Sequence, residues 1–241
     1  MAKGIDVSVH NGNIDWNKVK ADGVEFAIIR AGYGRTVAQE DDQFQQNYRN
    51  ARAAGISVGA YWYNYATTVE DAKREAAACI NVLAARRFDF PVYYDVEEQN
   101  VLALGRDKVS AIIKAFCEEL ESAGYYVGVY TGASAAKSCL TEDVRKAYDI
   151  WIAHWGVSKP SYDLYGVWQY TDSGSVDGIN GHVDMDESYK DYPAIMAATG
   201  LNNYPKPNVE TVEQVKPVEA DTVDITVTIN GKKYTGTLKE V

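Results

Sequence analysis

Cysteine and histidine are scarce in this sequence of 241 residues, with three of each. The cysteines, Cys79, Cys117 and Cys139, are odd in number and widely spaced, which fits neither a disulfide framework nor a zinc knuckle. The histidines show no metal-ligand spacing such as His-x-x-x-His. We therefore expect neither a metal ion nor another cofactor.

Long apolar runs and an excess of positive charge are also missing. No apolar segment approaches the length that spans a membrane, so we expect no membrane insertion. The chain has 24 Lys and Arg against 34 Asp and Glu, a formal charge of −10, which repels phosphate backbones and disfavours nucleic acid as a partner. No basic and then apolar leader precedes the first strand, so we expect synthesis in the cytoplasm without a signal peptide.

Strand-like and helix-like segments alternate along the chain. Several strand-like runs are almost wholly apolar, as expected of parallel strands covered on both faces. Eight such runs in about 200 residues favour a small (β/α)8-type barrel, distorted in its second half, where the helices become shorter. A doubly wound open sheet is the alternative, weakened because no Gly-rich phosphate loop follows the first strand. The predicted strands cover residues 5–9, 25–31, 57–65, 91–97, 125–130, 150–154, 166–170 and 182–184.

Two of the intervening helices carry distinct end signals. Thr67 and Glu70 fit a capping box at the start of one helix. Apolar residues between Val109 and Leu120 repeat at helical spacing, and Gly124 is a typical stop signal for that helix.

The composition changes near residue 201. Three prolines among charged residues without a clear period predict a linker over 201–221. Beyond it, alternating apolar residues from Val223 to Ile229, then Asn230-Gly231, predict a β-hairpin over 222–241. The predicted domains are thus a barrel over 1–200, the linker and the hairpin. A lone hairpin is marginally stable in water, so we expect it to pack on the barrel, to associate with another chain or to form part of a wall-binding element.

Asp95 and Glu97 are the first candidates for chemistry. Residues two apart on a strand project from the same face, so both would lie at the carboxyl end of the fourth strand, where barrel active sites form. Glycoside hydrolysis needs one carboxyl group to protonate the leaving oxygen and a second group to stabilise the cationic centre. The alternative is structural: Asp95 caps the next helix while Glu97 is solvated.

Asp6 and Asp184 add two acids to this pattern. Each lies within an apolar strand, where a charge is costly unless it is paired or used. Because the first and last strands of a closed barrel are neighbours, we expect these two side chains to meet. Four acids at one barrel mouth favour the catalytic interpretation.

Aromatic residues cluster near the same strand ends. Sugar rings stack their C–H faces on aromatic rings, and phenol hydroxyls bond to sugar oxygens. Each ring taken alone is also compatible with core packing. The predicted substrate-binding residues are Tyr33, Tyr61, Tyr63, Tyr130, Trp168 and Tyr170.

Several of these segments together resemble glycoside hydrolase family 25, the Chalaropsis-type lysozymes. The resemblance covers about residues 4–190. Two positions depart from it: Asp186 stands where many relatives carry Asn, and Tyr189 lies in the region of a usual Phe. The segments are Gly4-Ile5-Asp6-Val7-Ser8, Gly12-Asn13-Ile14-Asp15-Trp16, residues 26–34, Gly59-Ala60-Tyr61, Asp95-x-Glu97, Trp168-Gln169-Tyr170-Thr171 and Val183-Asp184.

This resemblance implies a barrel enzyme that hydrolyses the β-1,4 bond between N-acetylmuramic acid and N-acetylglucosamine in peptidoglycan. It implies that Glu97 is the general acid, that Asp95 stabilises the acetamido group or the cationic centre, and that Asp6 and Asp184 support them. Three roles stay open for Asp95: nucleophile, partner in substrate-assisted catalysis, or base for water. With the missing leader, it suggests a phage or prophage endolysin that acts on the wall after release; a bacterial autolysin is the rival. A silent wall-binding module and a chitinase-like hydrolase also stay open, although the acidic strand signature of chitinases is missing before Glu97.

Overall fold

The computed structural model describes residues 1–84, 86–206, 209–219, 222–229 and 232–239. The strands are β1 Ala2–Val7, β2 Phe26–Tyr33, β3 Ser57–Tyr63, β4 Val92–Asp95, β5 Val127–Gly132, β6 Asp149–Ala153, β7 Val167–Gly174, β8 Val183–Ser188, β9 Val209–Glu219, β10 Thr222–Ile229 and β11 Lys232–Lys239. The helices are α1 Trp16–Ala21, α2 Phe44–Ala53, α3 Val69–Leu83, α4 Gln99–Leu102, α5 Arg106–Ser122, α6 Ala133–Cys139, α7 Glu142–Ala147 and α8 Tyr192–Thr199.

Strands β1 to β8 form a closed barrel in sequence order, which confirms the predicted distorted (β/α)8-type fold. Neighbours from β1 to β7 are parallel, whereas β8 is antiparallel to both β7 and β1. The reversal follows from the short connection over 175–182, since a parallel crossover needs a dozen or more residues.

Side chains alternate between the barrel interior and the helical layer. The interior holds a cluster of large aromatic and apolar side chains, among them Phe26, Tyr93 and Trp151. Gly4 and Gly128 make room for them: a Cβ at Gly4 would lie 2.2 Å from the Phe26 ring, and one at Gly128 would lie 2.4 Å from Tyr93. These side chains fill the barrel interior, so the barrel is a packed core and not a pore.

Helix α3 begins one residue later than the predicted capping box allows. Thr68 caps it by accepting a hydrogen bond from the Asp71 N–H at 3.1 Å, so the pairing of Thr67 with Glu70 is wrong. Helix α5 covers the predicted Val109–Leu120 periodicity, and Gly124 follows it with a φ of 87°, as expected of a helix stop.

The segment after α8 remains tied to the barrel. Asn202 accepts a hydrogen bond from the Tyr126 N–H at 2.7 Å and donates one to the Phe90 carbonyl at 2.8 Å. Tyr204 donates to Asp89 at 2.5 Å. We therefore propose that the barrel unit extends to Tyr204, a few residues beyond the predicted boundary at 200.

Strands β9, β10 and β11 form a three-stranded antiparallel sheet in the order β11-β10-β9. The predicted hairpin is present as β10 and β11, while its turn at Asn230-Gly231 lies outside the described residues. The predicted linker over 201–221 contains β9, so it is not irregular throughout. Pairing with β10 explains this, because a β-branched segment without a clear period becomes a strand once a partner strand supplies its hydrogen bonds. In the described ranges no helix has the length and apolar character needed to cross a membrane.

Candidate active site

The four predicted acids meet in one open groove at the carboxyl end of the barrel. Asp6, Asp95, Glu97 and Asp184 all line a cavity of about 860 Å³, which we call the acidic groove. Asp6 on β1 lies directly opposite Asp184 on β8 in the antiparallel register, so these two strands meet as predicted.

Asp95 and Glu97 occupy the groove from β4 and the loop that follows it. The strand ends at Asp95, two residues earlier than predicted, and Val96 extends the ladder by one hydrogen bond to the Tyr130 carbonyl at 2.9 Å. The alternation therefore continues past the strand end: the Val96 side chain is buried in the helical layer and Glu97 returns to the groove.

Burial distinguishes these two acids. Asp95 is 5% exposed, and its Oδ1 has no hydrogen-bond partner among the described residues. Burial raises the pKa of Asp95 well above its usual range, and the nearby Glu97 raises it further while Arg30 opposes the shift. Glu97 is exposed at the groove rim, and partial desolvation raises its pKa, with the charge of the neighbouring Glu98 adding to the rise. The pair can thus retain a proton at a pH where free carboxyl groups have lost theirs.

Asp6 belongs to a buried hydrogen-bonded network. The Gln169 amide donates to Asp6 at 2.7 Å, and the Tyr130 hydroxyl donates to Gln169 at 2.9 Å. Burial raises the pKa of Asp6, and the adjacent Asp186 and Asp184 raise it further. Burial also raises the pKa of Asp184, to about 6.

Arg30 on β2 is the one Arg or Lys side chain in the described lining of the acidic groove. Its Nε donates to Asp41 at 2.7 Å, and the same Asp41 oxygen accepts from the Val9 N–H at 3.0 Å. Arg30 lines the groove and lowers the pKa of Asp95 by its positive charge. The Asp41 contact fixes Arg30, so its charge is held in place beside the acids.

Four of the six predicted aromatic residues line the groove: Tyr33, Tyr61, Tyr63 and Tyr130. The Tyr63 hydroxyl donates to Glu98 at 2.9 Å, which orients the ring. Rings and hydroxyls on these walls suit a carbohydrate, because the rings offer stacking faces and the hydroxyls bond to sugar oxygens.

Trp168 and Tyr170 lie on the opposite face of β7 from the groove, which corrects their predicted place. Trp168 is buried against the helical layer and donates its indole N–H to the His154 carbonyl at 2.9 Å. Tyr170 packs on the same layer and meets Trp168 edge to face. Gln169, between them, faces the groove instead.

The sequence prediction missed three polar residues of this region. Arg30 and Gln169 line the groove, and Asp186 lies beneath it, with the Trp151 indole N–H donating to its Oδ1 at 2.7 Å. The signal for Arg30 and Asp186 was strand alternation, since each is two residues from an inward-facing neighbour. Trp155, which the sequence places among the aromatic residues near the strand ends, follows β6 in a loop and lines the groove as well.

His10 and His182 also line the acidic groove, and His154 lies in the adjoining cavity. Across the described ranges, no three His, Cys, Asp or Glu side chains are arranged to hold a metal ion.

A groove of carboxyl groups and aromatic walls at the carboxyl end of a β/α barrel is the type of site used by barrel glycoside hydrolases. The family model described as glycosyl hydrolases family 25 matches residues 5–179, and this chain belongs to that family.

Individual relatives agree with this assignment. The autolytic lysozyme of Clostridium acetobutylicum is 38% identical over 188 residues, covering 77% of this chain and 55% of the relative. This chain therefore spans about half the length of that protein. The crystal structure of the bacterial lysozyme from Streptomyces coelicolor has a TM-score of 0.72 and 29% identity, covering 85% of this chain and 98% of that one. The CTP1L endolysin structure has a TM-score of 0.67 and 29% identity, covering 83% and 70%.

Proposed function

We propose that this protein is an N-acetylmuramidase that hydrolyses the β-1,4 bond between N-acetylmuramic acid and N-acetylglucosamine in bacterial peptidoglycan. The observation that carries the proposal is the placement of Asp95 and Glu97 in one open groove, with a shared tendency to retain a proton. Membership of family 25 and the similarity to two proteins named lysozymes support it.

Glu97 is the proton donor in this proposal. It reaches the open part of the groove, whereas Asp95 is buried beneath it. A glycosidic oxygen in the groove takes the proton of Glu97 as the bond to C1 breaks. Water then attacks C1, and the Glu97 carboxylate accepts the proton of that water, which restores the acid.

Asp95 stabilises the sugar that carries the reacting C1. Its Oδ1 lacks a partner within the described structure, and the N–H of an acetamido group is a donor of the right kind. Such a bond stabilises the Asp95 anion and lowers its pKa, so the proton of the pair moves to Glu97 when substrate binds. The Asp95 anion then stabilises the positive charge that develops at C1. Asp6 and Asp184 line the adjoining part of the groove.

Substitution of Glu97 tests the catalytic proposal. We expect Glu97→Gln to reduce the clearing of Gram-positive cell walls by at least about 100-fold, because a positioned general acid contributes roughly this much. The matched control is Glu118→Gln, the same change on the exposed face of α5, which should retain activity. Undiminished lysis by a folded Glu97→Gln protein would contradict the assignment.

Product analysis separates the proposal from its alternatives. Mass spectrometry of digested peptidoglycan should find muramic acid at the new reducing ends. Reducing-end glucosamine would instead indicate a chitinase-like or glucosaminidase specificity. Intact glycan that nevertheless retains the protein would indicate a silent wall-binding module.

We further propose that the protein acts as an endolysin on the cell wall after release, supported by its similarity to the CTP1L endolysin. A bacterial autolysin is the alternative, supported by the Clostridium relative. Produced inside a bacterium, an endolysin without a membrane lesion should leave the culture intact. We expect lysis only after chloroform permeabilises the membrane; spontaneous lysis with enzyme in the medium would favour the autolysin.

A further inference from the structure

A second cavity of about 1260 Å³ adjoins the acidic groove between α4 and α6. We call it the α6 groove. Glu97, Tyr130 and Trp155 line both cavities and therefore form their boundary. Since Glu97 is the proposed proton donor, a glycan that crosses this boundary places sugars in both grooves at the moment of cleavage.

The two grooves differ in charge. Seven Asp and Glu side chains line the acidic groove, where Arg30 is already paired with Asp41. In the described lining of the α6 groove, Glu97 at the boundary is the one carboxylate, and Arg106 and Lys137 are cations. On a chain whose formal charge is −10, this reversal makes one side of the reacting bond attractive to anions.

Hydrogen bonds hold the donors of the α6 groove in place. Arg106 donates to the Ser138 and Lys137 carbonyls at 3.0 Å each, which anchors it across the end of α6. Lys137 donates to the Ser161 hydroxyl at 3.0 Å. The Ser161 N–H donates to Nδ1 of His154 at 3.1 Å, which leaves the proton of a neutral His154 on Nε2 as a further donor. The small side chains of α6, such as Ala133, leave the space between these donors open.

We infer that the α6 groove binds the carboxylate-bearing peptide of the substrate, with Lys137 as its main charge partner. The inference rests on the proposed function, because the sugars of peptidoglycan carry few charges and its repeated anions are peptide carboxylates. In the acidic groove, an anion would meet six carboxyl groups besides Glu97. The charge pattern therefore orients the strand as well as retaining it.

Binding to matched glycans tests the inference. Two tetrasaccharides of the same sugar sequence are compared, one with its peptides and one after enzymatic removal of the peptides. Dissociation constants are measured in a Glu97→Gln background, so that turnover does not interfere. We expect Lys137→Glu to weaken binding of the peptide-bearing glycan by about 3- to 10-fold, and binding of the stripped glycan by less than about twofold. The difference should shrink as salt is raised.

Two control variants separate charge from structure. Lys20→Glu makes the same charge change at the amino end of the barrel and should alter neither constant. Ser161→Ala removes the hydrogen bond of Lys137 but retains its charge, and should preserve the preference for the peptide-bearing glycan. Equal losses on both glycans in Lys137→Glu, or the same loss in Lys20→Glu or Ser161→Ala, would overturn the inference. Hydrolysis by the unsubstituted enzyme is measured separately. A failure of the proposed function is thereby distinguished from a failure of the inference about the α6 groove.

Discussion

Asp186 is fully buried inside the barrel, with one oxygen bound to the Trp151 indole N–H and the other without a partner in the described structure. It shares the interior with Asp6 and Asp184. Burial, opposed by the Trp151 hydrogen bond and assisted by the charge of Asp184, raises the pKa of Asp186 to about 8. We interpret Asp186 as a carboxyl group that stays protonated at neutral pH, which relieves the repulsion on Asp6.

The protonation of Asp186 predicts how stability depends on pH. An unfolded Asp releases its proton near pH 4, whereas the folded protein retains this one up to about pH 8. Folded stability therefore falls as the pH rises between these values, by at most about 1.4 kcal/mol per pH unit. An amide has no such titration, so Asp186→Asn should be more stable relative to the parent at pH 8 than at pH 5, measured by urea unfolding.

The same substitution tests the site. The Asn amide can accept from Trp151 and donate toward Asp6 as a protonated carboxyl group does. We expect Asp186→Asn to retain activity at pH 6 and to move the alkaline limb of the pH profile upward, because Asp186 can no longer gain a charge. Parallel stability curves and identical pH profiles for the two proteins would show that Asp186 is already ionised.

At the level of secondary structure, the positions of the strands were predictable, but the direction of the last barrel strand was not. Eight apolar runs indicated eight barrel strands, and all eight are present. The reversal of β8 was visible only in the connection over 175–182, which is too short for a crossover. The predicted meeting of Asp6 and Asp184 does not reveal the direction of β8. The first and last strands of a closed barrel are neighbours whether they run parallel or antiparallel.

Strand β7 shows that the position of a strand can be predicted correctly while the inward and outward faces of its side chains are not. Trp168 and Tyr170 were predicted to bind substrate, but both lie on the outer face of the strand. A strand buried on both sides has no contrast between apolar and polar positions. Its period of two therefore does not show which set of alternate side chains points into the barrel. Gln169 was the distinguishing residue: a buried amide needs partners, and here it binds Asp6 and Tyr130 in the interior.

The groove residues of β4 were predictable because two signals agreed. The spacing of Asp95 and Glu97 placed them on one face, and the end of the apolar run placed them at the barrel mouth. The unequal burial of the two acids was not predictable, because it depends on which side chains of other strands, such as Tyr61 and Tyr130, line the same groove. Long-range contacts of that kind leave no local pattern in the sequence.

At the scale of the whole molecule, the barrel and the C-terminal sheet pose separate questions. The bonds of Asn202 and Tyr204 to the barrel indicate that residues up to 204 belong to it. Beyond residue 206 the described strands pair with one another in the three-stranded sheet. We propose that the sheet associates with a second copy of the chain through its edge strand β11, whose residues 232–237 are exposed.

Removal of the sheet tests this role. An edge strand presents backbone groups that can pair with another chain, but Lys232 and Lys233 repel their counterparts in a second copy. We therefore expect weak, concentration-dependent dimers of the full chain that become stronger as salt screens these lysines, measured by sedimentation equilibrium. A chain that ends after Lys206 should stay monomeric at every salt concentration. It should hydrolyse soluble glycan fragments at the parent rate, since the acidic groove and the α6 groove lie within residues 6–184.

If the full chain is monomeric throughout, the sheet does not mediate self-association. Weaker retention of the shortened chain on whole walls would then assign it to wall binding.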